Sequence, residues 1–537
     1  MTVNQLAELI MIIGSLIGLF FMILPLKIWT FDGSDAWSHI YDASLYKNWK
    51  NIPTEAPNFY PKPEFSYPWA VSWLLHVFKP DDPTRFGIIL NISLMLGEVA
   101  LTCLLLVQWA STDLVLLYAF IRITNPLNFS PWSGIYGLNA RVIGSTAANL
   151  IVIMTPLLWI NKTSAAEYFV ALSVLFAVCV VSSQFAMQAL IPYLILTSLY
   201  FQAPIFILGC LSVYGLLLLI SKGRVLEIFL GHLKHVKFYA RFLQHNSATL
   251  QERMENPWNW LIRLPKREIR IAAMKLIWVP EFRVFLWNPA LFVLSVVCIF
   301  FITTERPFPA LPGGGDYAAI AFTCVALVPI INIKGLRFLG EPDRYFTFLG
   351  QSAAAVLLAA MLTANGGDNE LLRLGVFPYL VFALLISAIL LYKRSKIVHH
   401  QSTELEQEII DVIIRRESSK ADLRDPVVLI NPANRADKFA CLSEFIFPAL
   451  HTNVVQDEEN WTEYETLFSS GYPFVSQAAV FDLKVDVDYY VVCRRFFSAD
   501  YRARHSLKVD GEIAISSLQS LYENAEYELY AVKKSSV

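Results

Sequence analysis

Phe31-Asp32-Gly33-Ser34-Asp35-Ala36-Trp37-Ser38-His39-Ile40 follows an apolar run from Leu6 to Leu26 and lies in a polar loop, residues 27–85. A run of that length is long enough to span a bilayer. It carries no basic residue at its start and no small-residue cleavage site, so it reads as a retained helix and not as a signal peptide. Two carboxylates and an imidazole therefore sit at a membrane surface. If Asp35 opens a helix, His39 lies one turn on along the same face. A carboxylate so placed can act as general base or hold a divalent cation such as Mg or Mn. The plainer use of Asp32 or Ser34 is to cap an interfacial helix.

The chain around this stretch is that of a polytopic membrane protein. Of 537 residues, 55% are hydrophobic and only 16% charged, against about 25% charged in a soluble domain, and the mean hydropathy is +0.47. The net charge of −2, from 43 basic and 45 acidic residues, gives no general pull on nucleic acid. The charges divide unevenly. Residues 1–392 carry 26 basic and 22 acidic side chains, and residues 393–537 carry 17 and 23. The expected layout is a transmembrane domain over 1–392 and a small soluble C-terminal domain over 393–537. The seven cysteines form no metal or disulfide pattern.

Apolar runs at 6–26, 86–108, 112–124, 142–160, 166–183, 187–201, 203–220, 288–304, 317–334, 345–364 and 372–392 predict about eleven transmembrane helices. The runs at 112–124 and 187–201 are short enough to be tilted or re-entrant. Residues 221–287 interrupt the series with twelve Lys/Arg, five Asp/Glu and interleaved tryptophans. Apolar residues recur there at helical spacing over Val225–Phe242 and Ile262–Val279, which predicts amphipathic helices in the headgroup plane. The basic character of 221–287 and of Lys393-Arg394-Ser395-Lys396 places both in the cytoplasm by the positive-inside rule. Eleven spans with the N-terminus inside place both outside, so the two readings differ by one span. The tail opens with a charged helix, Thr403–Glu417. Strand patterns at Val427–Ile430, Tyr489–Cys493 and Tyr527–Val532, with a helical stretch Ala433–Phe445, predict a small α/β domain.

Several polar residues stand out against this background. Ile52-Pro53, Ala56-Pro57, Phe59-Tyr60-Pro61 and Ser66-Tyr67-Pro68-Trp69 give the first loop a proline-aromatic wall, and Val71–Phe78 an amphipathic turn or two. Arg141 opens a span after Ser133-Gly134-Ile135-Tyr136-Gly137-Leu138-Asn139, and Arg344 stands in Gly340-Glu341-Pro342-Asp343-Arg344-Tyr345-Phe346 before another. Either guanidinium can pair a phosphate bidentately. The alternatives are snorkelling for Arg141 and an ion pair with Glu341 or Asp343 for Arg344. Glu98 and Arg122 lie within apolar runs; a carboxylate in lipid points either to function or to a partner on a neighbouring span, such as Arg122. Gln184 and Gln188 share a helical face that suits a hydrogen bond to a sugar or, preferably, a contact between helices.

The acidic motif after the first span, the Asp-x-x-x-His spacing, the Tyr67-Pro68 step before a short helix, the Arg344-Tyr345 step before a late span, and the tail's Leu521-Tyr522-Glu523-Asn524-Ala525-Glu526-Tyr527-Glu528-Leu529-Tyr530 together resemble the GT-C superfamily of integral-membrane glycosyltransferases that use polyprenyl-phosphate-linked sugars. The likeness covers the layout of most of the chain but specific residues at only some forty positions. It implies a lipid-linked sugar donor and catalysis at the extracytoplasmic face, of a bacterial inner membrane or of a eukaryotic lumen. It also implies a base at Asp32 or Asp35, with those two as the place for any divalent cation, and substrate contacts from His39, Tyr67, Arg141, Glu341, Arg344 and Tyr345. The Asp-x-x-Asp spacing departs from the adjacent Asp-Glu or the Asp-x-Asp of many members, which leaves open which carboxylate is the base. A transporter or flippase of a lipid-linked glycan, or a non-catalytic assembly protein, would share the composition. The chain has no matching internal halves of the kind many transporters show, and no GxSxG, P-loop or HExxH motif.

Overall fold

The computed structural model describes residues 3–24, 34–61, 68–129, 138–160, 165–238, 284–305, 314–331, 343–363, 369–395, 403–449, 460–497 and 518–532, short internal gaps apart. Asp32, Tyr67 and Glu341 lie outside the described residues, as does most of the 242–287 stretch. In chain order the helices are α1 (Val3–Ile23), α2 (Ser34–Ser44), α3 (Ala70–Phe78), α4 (Pro83–Leu106), α5 (Thr112–Thr124), α6 (Ala140–Ile160), α7 (Ala165–Ser182), α8 (Gln184–Tyr200), α9 (Ile205–Ile220), α10 (Arg224–Phe238), α11 (Pro289–Thr303), α12 (Gly314–Ile331), α13 (Gln351–Thr363), α14 (Asn369–Ser395), α15 (Glu404–Glu417), α16 (Ala436–Ala440) and α17 (Trp461–Leu467). The strands are β1 (Phe59–Tyr60), β2 (Val428–Asn431), β3 (Phe447–Pro448), β4 (Tyr489–Cys493), β5 (Leu518–Glu523) and β6 (Tyr527–Val532). These elements form two compact units. One comprises Met1–Phe31, Thr84–Val225 and Asn256–His399. The other comprises Asp32–Pro83, Leu226–Glu255 and His400–Val537.

The first unit is a helical bundle. Among the described residues, four stretches are long and apolar enough to cross a membrane: Pro83–Leu106, Ala140–Leu157, Phe346–Thr363 and Gly375–Tyr392. A fifth is counted if α9 and α10 make one broken span. That is fewer than the eleven expected. The difference lies in shorter apolar helices such as α5, with 13 residues. At 1.5 Å per residue such a helix covers about 20 Å of a hydrocarbon core about 30 Å thick.

Two of the four spans are central to the bundle, with 94% of their residues buried, whereas Pro83–Leu106 and Gly375–Tyr392 are 39% and 33% buried and turn much of their surface outward. The central span enters through a π-helical turn, Phe346–Gly350, and continues as α13. Its Ala353, Ala354, Ala355, Ala359 and Ala360 are all buried; small side chains let helix backbones approach closely where no hydrophobic drive separates helix from lipid. α6 meets α8 by the same device. A Cβ placed on Gly144 would stand 2.5 Å from Ser183 Cβ and 2.9 Å from Ala186 Cβ. Ser183 also caps α8, its hydroxyl accepting from the Ala186 amide at 3.3 Å. A small cluster of Met22, Met95, Phe129 and Leu391 binds α1, α4 and α14 together.

The second unit is α/β, and the first loop belongs to it. Its four-stranded sheet runs β2-β4-β6-β5. β2 and β4 are parallel, and the other pairings are antiparallel. The fully buried runs Val428–Asn431 and Tyr489–Cys493 make β2, at one end of this order, and β4 beside it. The strand expected over Tyr527–Val532 is β6, and it forms a hairpin with β5 before it. Asn524 ends β5, and its side-chain oxygen accepts from the Glu526 and Tyr527 amides at 3.1 and 2.9 Å, which turns the chain into β6. The helix expected over Ala433–Phe445 is shorter, a 3-10 turn followed by α16, because the chain beyond it extends to pair as β3. That strand lies parallel to β1 of the first loop, with Phe59 opposite Phe447. Asn58 secures the junction, its amide nitrogen donating to the carbonyls of Ser443 and Phe445 at 3.3 and 3.1 Å. Tyr41, Ala56 and Phe59 are buried in one core with Ile409, Val428, Phe439, Phe447 and Tyr489. α10 joins it through Phe238, which packs on Trp461 and Tyr464.

Candidate functional site

In the first unit two of the expected site arginines converge on one aromatic ring. The Arg141 guanidinium carbon lies 5.6 Å, and that of Arg344 4.4 Å, from the centroid of Phe185. Arg141 is the second residue of α6, and the side-chain oxygen of Asn139 accepts from its amide at 2.9 Å, which starts the helix. Arg344 stands in the short turn Asp343–Tyr345 that leads into the π-helical turn. Phe185 is the second residue of α8, after the Ser183 cap. The next residue after Arg344 is fixed as well: Gln188 Nε2 of α8 donates to the Tyr345 hydroxyl at 2.7 Å. Gln188 thus makes the contact between helices expected of it. Two guanidinium groups on one ring concentrate positive charge and ten N–H donors in one place. A ligand phosphate carries the charge and the acceptors that suit such a pair.

The elements that hold this cluster also wall an apolar cavity of about 270 Å³. Along α8 the lining residues are Pro192, Tyr193, Leu196, Thr197 and Tyr200, starting one turn beyond Gln188. From the π-helical turn comes Leu349, four residues beyond Tyr345, and α12 supplies the facing wall from Asp316 to Leu327. A cavity of this size with a largely apolar lining takes a hydrocarbon chain.

A second polar group in the same unit is a structural knot. Arg122 of α5 pairs with Glu98 of α4 at 2.5 Å. Ser352 Oγ donates to the same carboxylate at 2.7 Å. The Gln351 amide oxygen, turned toward Arg122, accepts from both guanidinium nitrogens at 2.7 and 2.8 Å. The Asn128 amide donates to the Arg122 carbonyl at 2.7 Å. The cavity these residues share with Asn149 and Thr347 holds about 20 Å³, room for no more than a water molecule. No substrate fits there, and the charges serve each other.

In the second unit α2 carries Asp35 and His39, which meets the condition under which the two share one helical face. Asp35 lies in its first turn, and its side chain is outside the described residues, as Asp32 is altogether. His39 is buried, and so is Asp42 one turn on. The tail packs against this helix at Ser38, whose hydroxyl donates to Asp437 at 2.8 Å. Burial pushes the Cys441 thiol well up, with Asp437 and Asp42 adding to the effect, so this cysteine stays a thiol. Among the described residues no group of three or more His, Cys, Asp or Glu side chains is arranged to hold a metal ion. Phe185, Asp437 and Lys438 were not singled out from the sequence. Phe185 is one aromatic among many in an apolar run, and the two tail residues sit in a stretch whose charges look solvated.

No family model and no curated protein sequence matches the chain. Solved structures do. The oligosaccharyltransferase of Archaeoglobus fulgidus, tethered by a disulfide bond to an acceptor peptide containing the NVT sequon, superposes with a TM-score of 0.57 over 98% of this chain and 74% of that one, at 12% identity. The same archaeal protein in complex with zinc and sulfate gives a TM-score of 0.50 over 97% and 73%, at 13% identity. The chain shares the fold of this archaeal oligosaccharyltransferase. At this identity the likeness is one of fold. The shared fold agrees with the order of elements that the sequence suggested: a short helix after the first apolar helix, a long series of apolar helices, and a mixed-sheet domain at the end.

Proposed function

We propose that this chain is an integral-membrane glycosyltransferase that takes a sugar from a polyprenyl-phosphate-linked donor and passes it to an acceptor at the extracytoplasmic face. The observation that carries the reading is the pair Arg141 and Arg344 on Phe185, with an apolar cavity continuing along the same two elements. A lipid phosphate is a ligand with both halves: a phosphate for two guanidinium groups and an isoprenoid chain for the cavity. The shared fold supports it, and the acceptor peptide of the archaeal neighbour makes a protein side chain the first acceptor to try.

In the proposed reaction the acceptor's nucleophilic atom bonds to the anomeric carbon of the sugar while the bond from that carbon to the phosphate oxygen breaks. The electron pair leaves on the phosphate, and Arg141 and Arg344 take up its charge. The acceptor's proton passes to a carboxylate base, the role that the sequence resemblance implies for Asp35 or Asp32. A carboxylate also favours the oxocarbenium-like state of such transfers. The zinc complex of the neighbour makes a divalent cation a candidate companion of these two aspartates, where it would supply positive charge.

The test is transfer of labelled sugar from a polyprenyl-phosphate donor by purified protein. Arg344→Ala is expected to raise the donor KM at least tenfold, since one charge-assisted hydrogen bond contributes about 1.5–3 kcal/mol. Asp35→Asn together with Asp32→Asn is expected to abolish transfer while donor binding stays. Wild-type transfer by the aspartate double variant rules out the proposed base. If wild-type protein consumes no donor but moves lipid-linked glycan across proteoliposomes, the chain is a transporter.

A further inference from the structure

α2 has eleven residues, fewer than an isolated helix needs to be stable in water, so its position is set by what it packs against. In the second unit α2 packs on α3 and on α16, and the grip of α16 is specific. Ser38 Oγ donates to Asp437 Oδ2 at 2.8 Å. The ammonium of the adjacent Lys438 lies 5.4 Å from the centroid of the Trp37 ring. The Cys441 thiol, one turn beyond Asp437, reaches the Trp37 carbonyl at 3.6 Å. Two consecutive residues of α2 are thus held by a single turn of the tail.

That turn is itself anchored. Lys438 Nζ pairs with Glu406 of α15 at 3.0 Å, and the Tyr527 hydroxyl of β6 donates to the same Glu406 oxygen at 2.6 Å. Ser38, Asp437, Lys438 and Glu406 are each 2% exposed or less. Enclosing an ion pair this completely sacrifices hydration that an apolar pair of equal volume would not have to replace, so its contribution to stability is small or negative. What such a pair does supply is geometry: a lysine that must meet one carboxylate has one place to be.

Asp35 precedes Ser38 by three residues and lies in the same turn of α2. We infer that Asp437 and Lys438 are positioning residues for the proposed transfer, fixing the axis of α2, and with it Asp35, through the chain Trp37–Lys438–Glu406–Tyr527 and the bond from Ser38 to Asp437. The inference rests on the reading of Asp35 as base. A misplacement on the order of 1 Å costs up to about a hundredfold in rate, so these contacts act on turnover and not on donor binding.

Full-length protein in detergent is assayed for kcat, donor KM, the pH–rate profile and thermal unfolding. Ser38→Ala, which removes one oxygen, is expected to lower kcat about tenfold with donor KM unchanged and unfolding within a few degrees of wild type. Ser38→Thr, which restores a hydroxyl, is expected to recover kcat to within about twofold. Lys438→Met is expected to lower kcat at least as far and to flatten the limb of the pH–rate profile that reports the base. Wild-type kcat and pH profile in Ser38→Ala and Lys438→Met, with Asp35→Asn inactive, overturns the positioning role and leaves the base in place. Full activity in Asp35→Asn overturns the base reading itself. A kcat loss in Ser38→Ala that Thr does not recover, or that tracks a fallen unfolding temperature, assigns these contacts to folding alone and also overturns the inference.

Discussion

Arg122 and Glu98 form an ion pair whose side chains are 1% and 2% exposed, joining two successive helices of the bundle. Removing one partner leaves a buried charge without its counterpart, at a cost of about 3–5 kcal/mol. Glu98→Gln and Arg122→Met are therefore each expected to lower the unfolding temperature in detergent sharply. The double variant Glu98→Leu with Arg122→Met is expected to recover most of the loss, because it removes both charges. A double variant as unstable as the singles would mean that Ser352 and Gln351, not the pair, set the stability.

The crossing of α6 and α8 depends on Gly144. A Cβ there has no room against Ser183 and Ala186. Gly144→Val is expected to cost about 1–3 kcal/mol by overpacking, read as a fall in unfolding temperature. It also pushes on α8, which carries Phe185 and Gln188, so donor KM is expected to rise. A variant with unchanged donor KM would show that α8 adjusts without moving the arginine cluster.

Bulk in the apolar cavity separates the two halves of the proposed donor site. Leu196→Trp and Thr323→Trp both project into its lining. They are expected to weaken binding of a long-chain polyprenyl phosphate tenfold or more, while a short-chain phosphate that reaches only Arg141 and Arg344 binds as before. Equal losses for both ligands would place the chain elsewhere.

The hairpin that ends the tail carries a pH signature. Burial alone raises the Glu528 carboxyl, but hydrogen bonds from Tyr530 and Arg494, with the Arg494 charge, outweigh it and hold the group below the ordinary carboxylate range. A depressed carboxyl stabilises the fold above its unfolded value, near about 4.3, and loses that contribution as pH falls through its folded value. The gap in unfolding temperature between wild type and Glu528→Gln is therefore expected to be widest above about pH 5 and to close in stronger acid. A gap independent of pH would mean that the hairpin is held by its backbone pairing alone.

What could be read from the sequence follows physical range. The long spans were legible because twenty apolar residues have one use, and α2 because an acidic residue and a histidine four apart belong on one turn. Arg141 and Arg344 were legible as cations at span boundaries, where a charge is costly enough to need a purpose. Their meeting on Phe185 was not, since nothing local marks one phenylalanine in an apolar run. The pairing of Phe59 with Phe447 was equally hidden: each strand is two residues long and has no period of its own. Asp437 and Lys438 sit beside Arg435 in a stretch that reads as a wetted surface, and only the fold reveals that they are enclosed.

The pairing of β1 with β3 has a consequence for how the protein is made. The loop that bears Asp35 leaves the ribosome early, yet Asn58, beside its strand, bonds to Phe445, 387 residues further on, just before the partner strand. Throughout synthesis of the intervening helices the loop has no sheet to join and no α16 to hold it. The helices of the bundle can meet their neighbours as they are inserted, and the acidic helix can meet α3, but the contacts from α16 come only when the tail arrives. A chain truncated before Phe447 would keep its spans and lose the place where its candidate base is held.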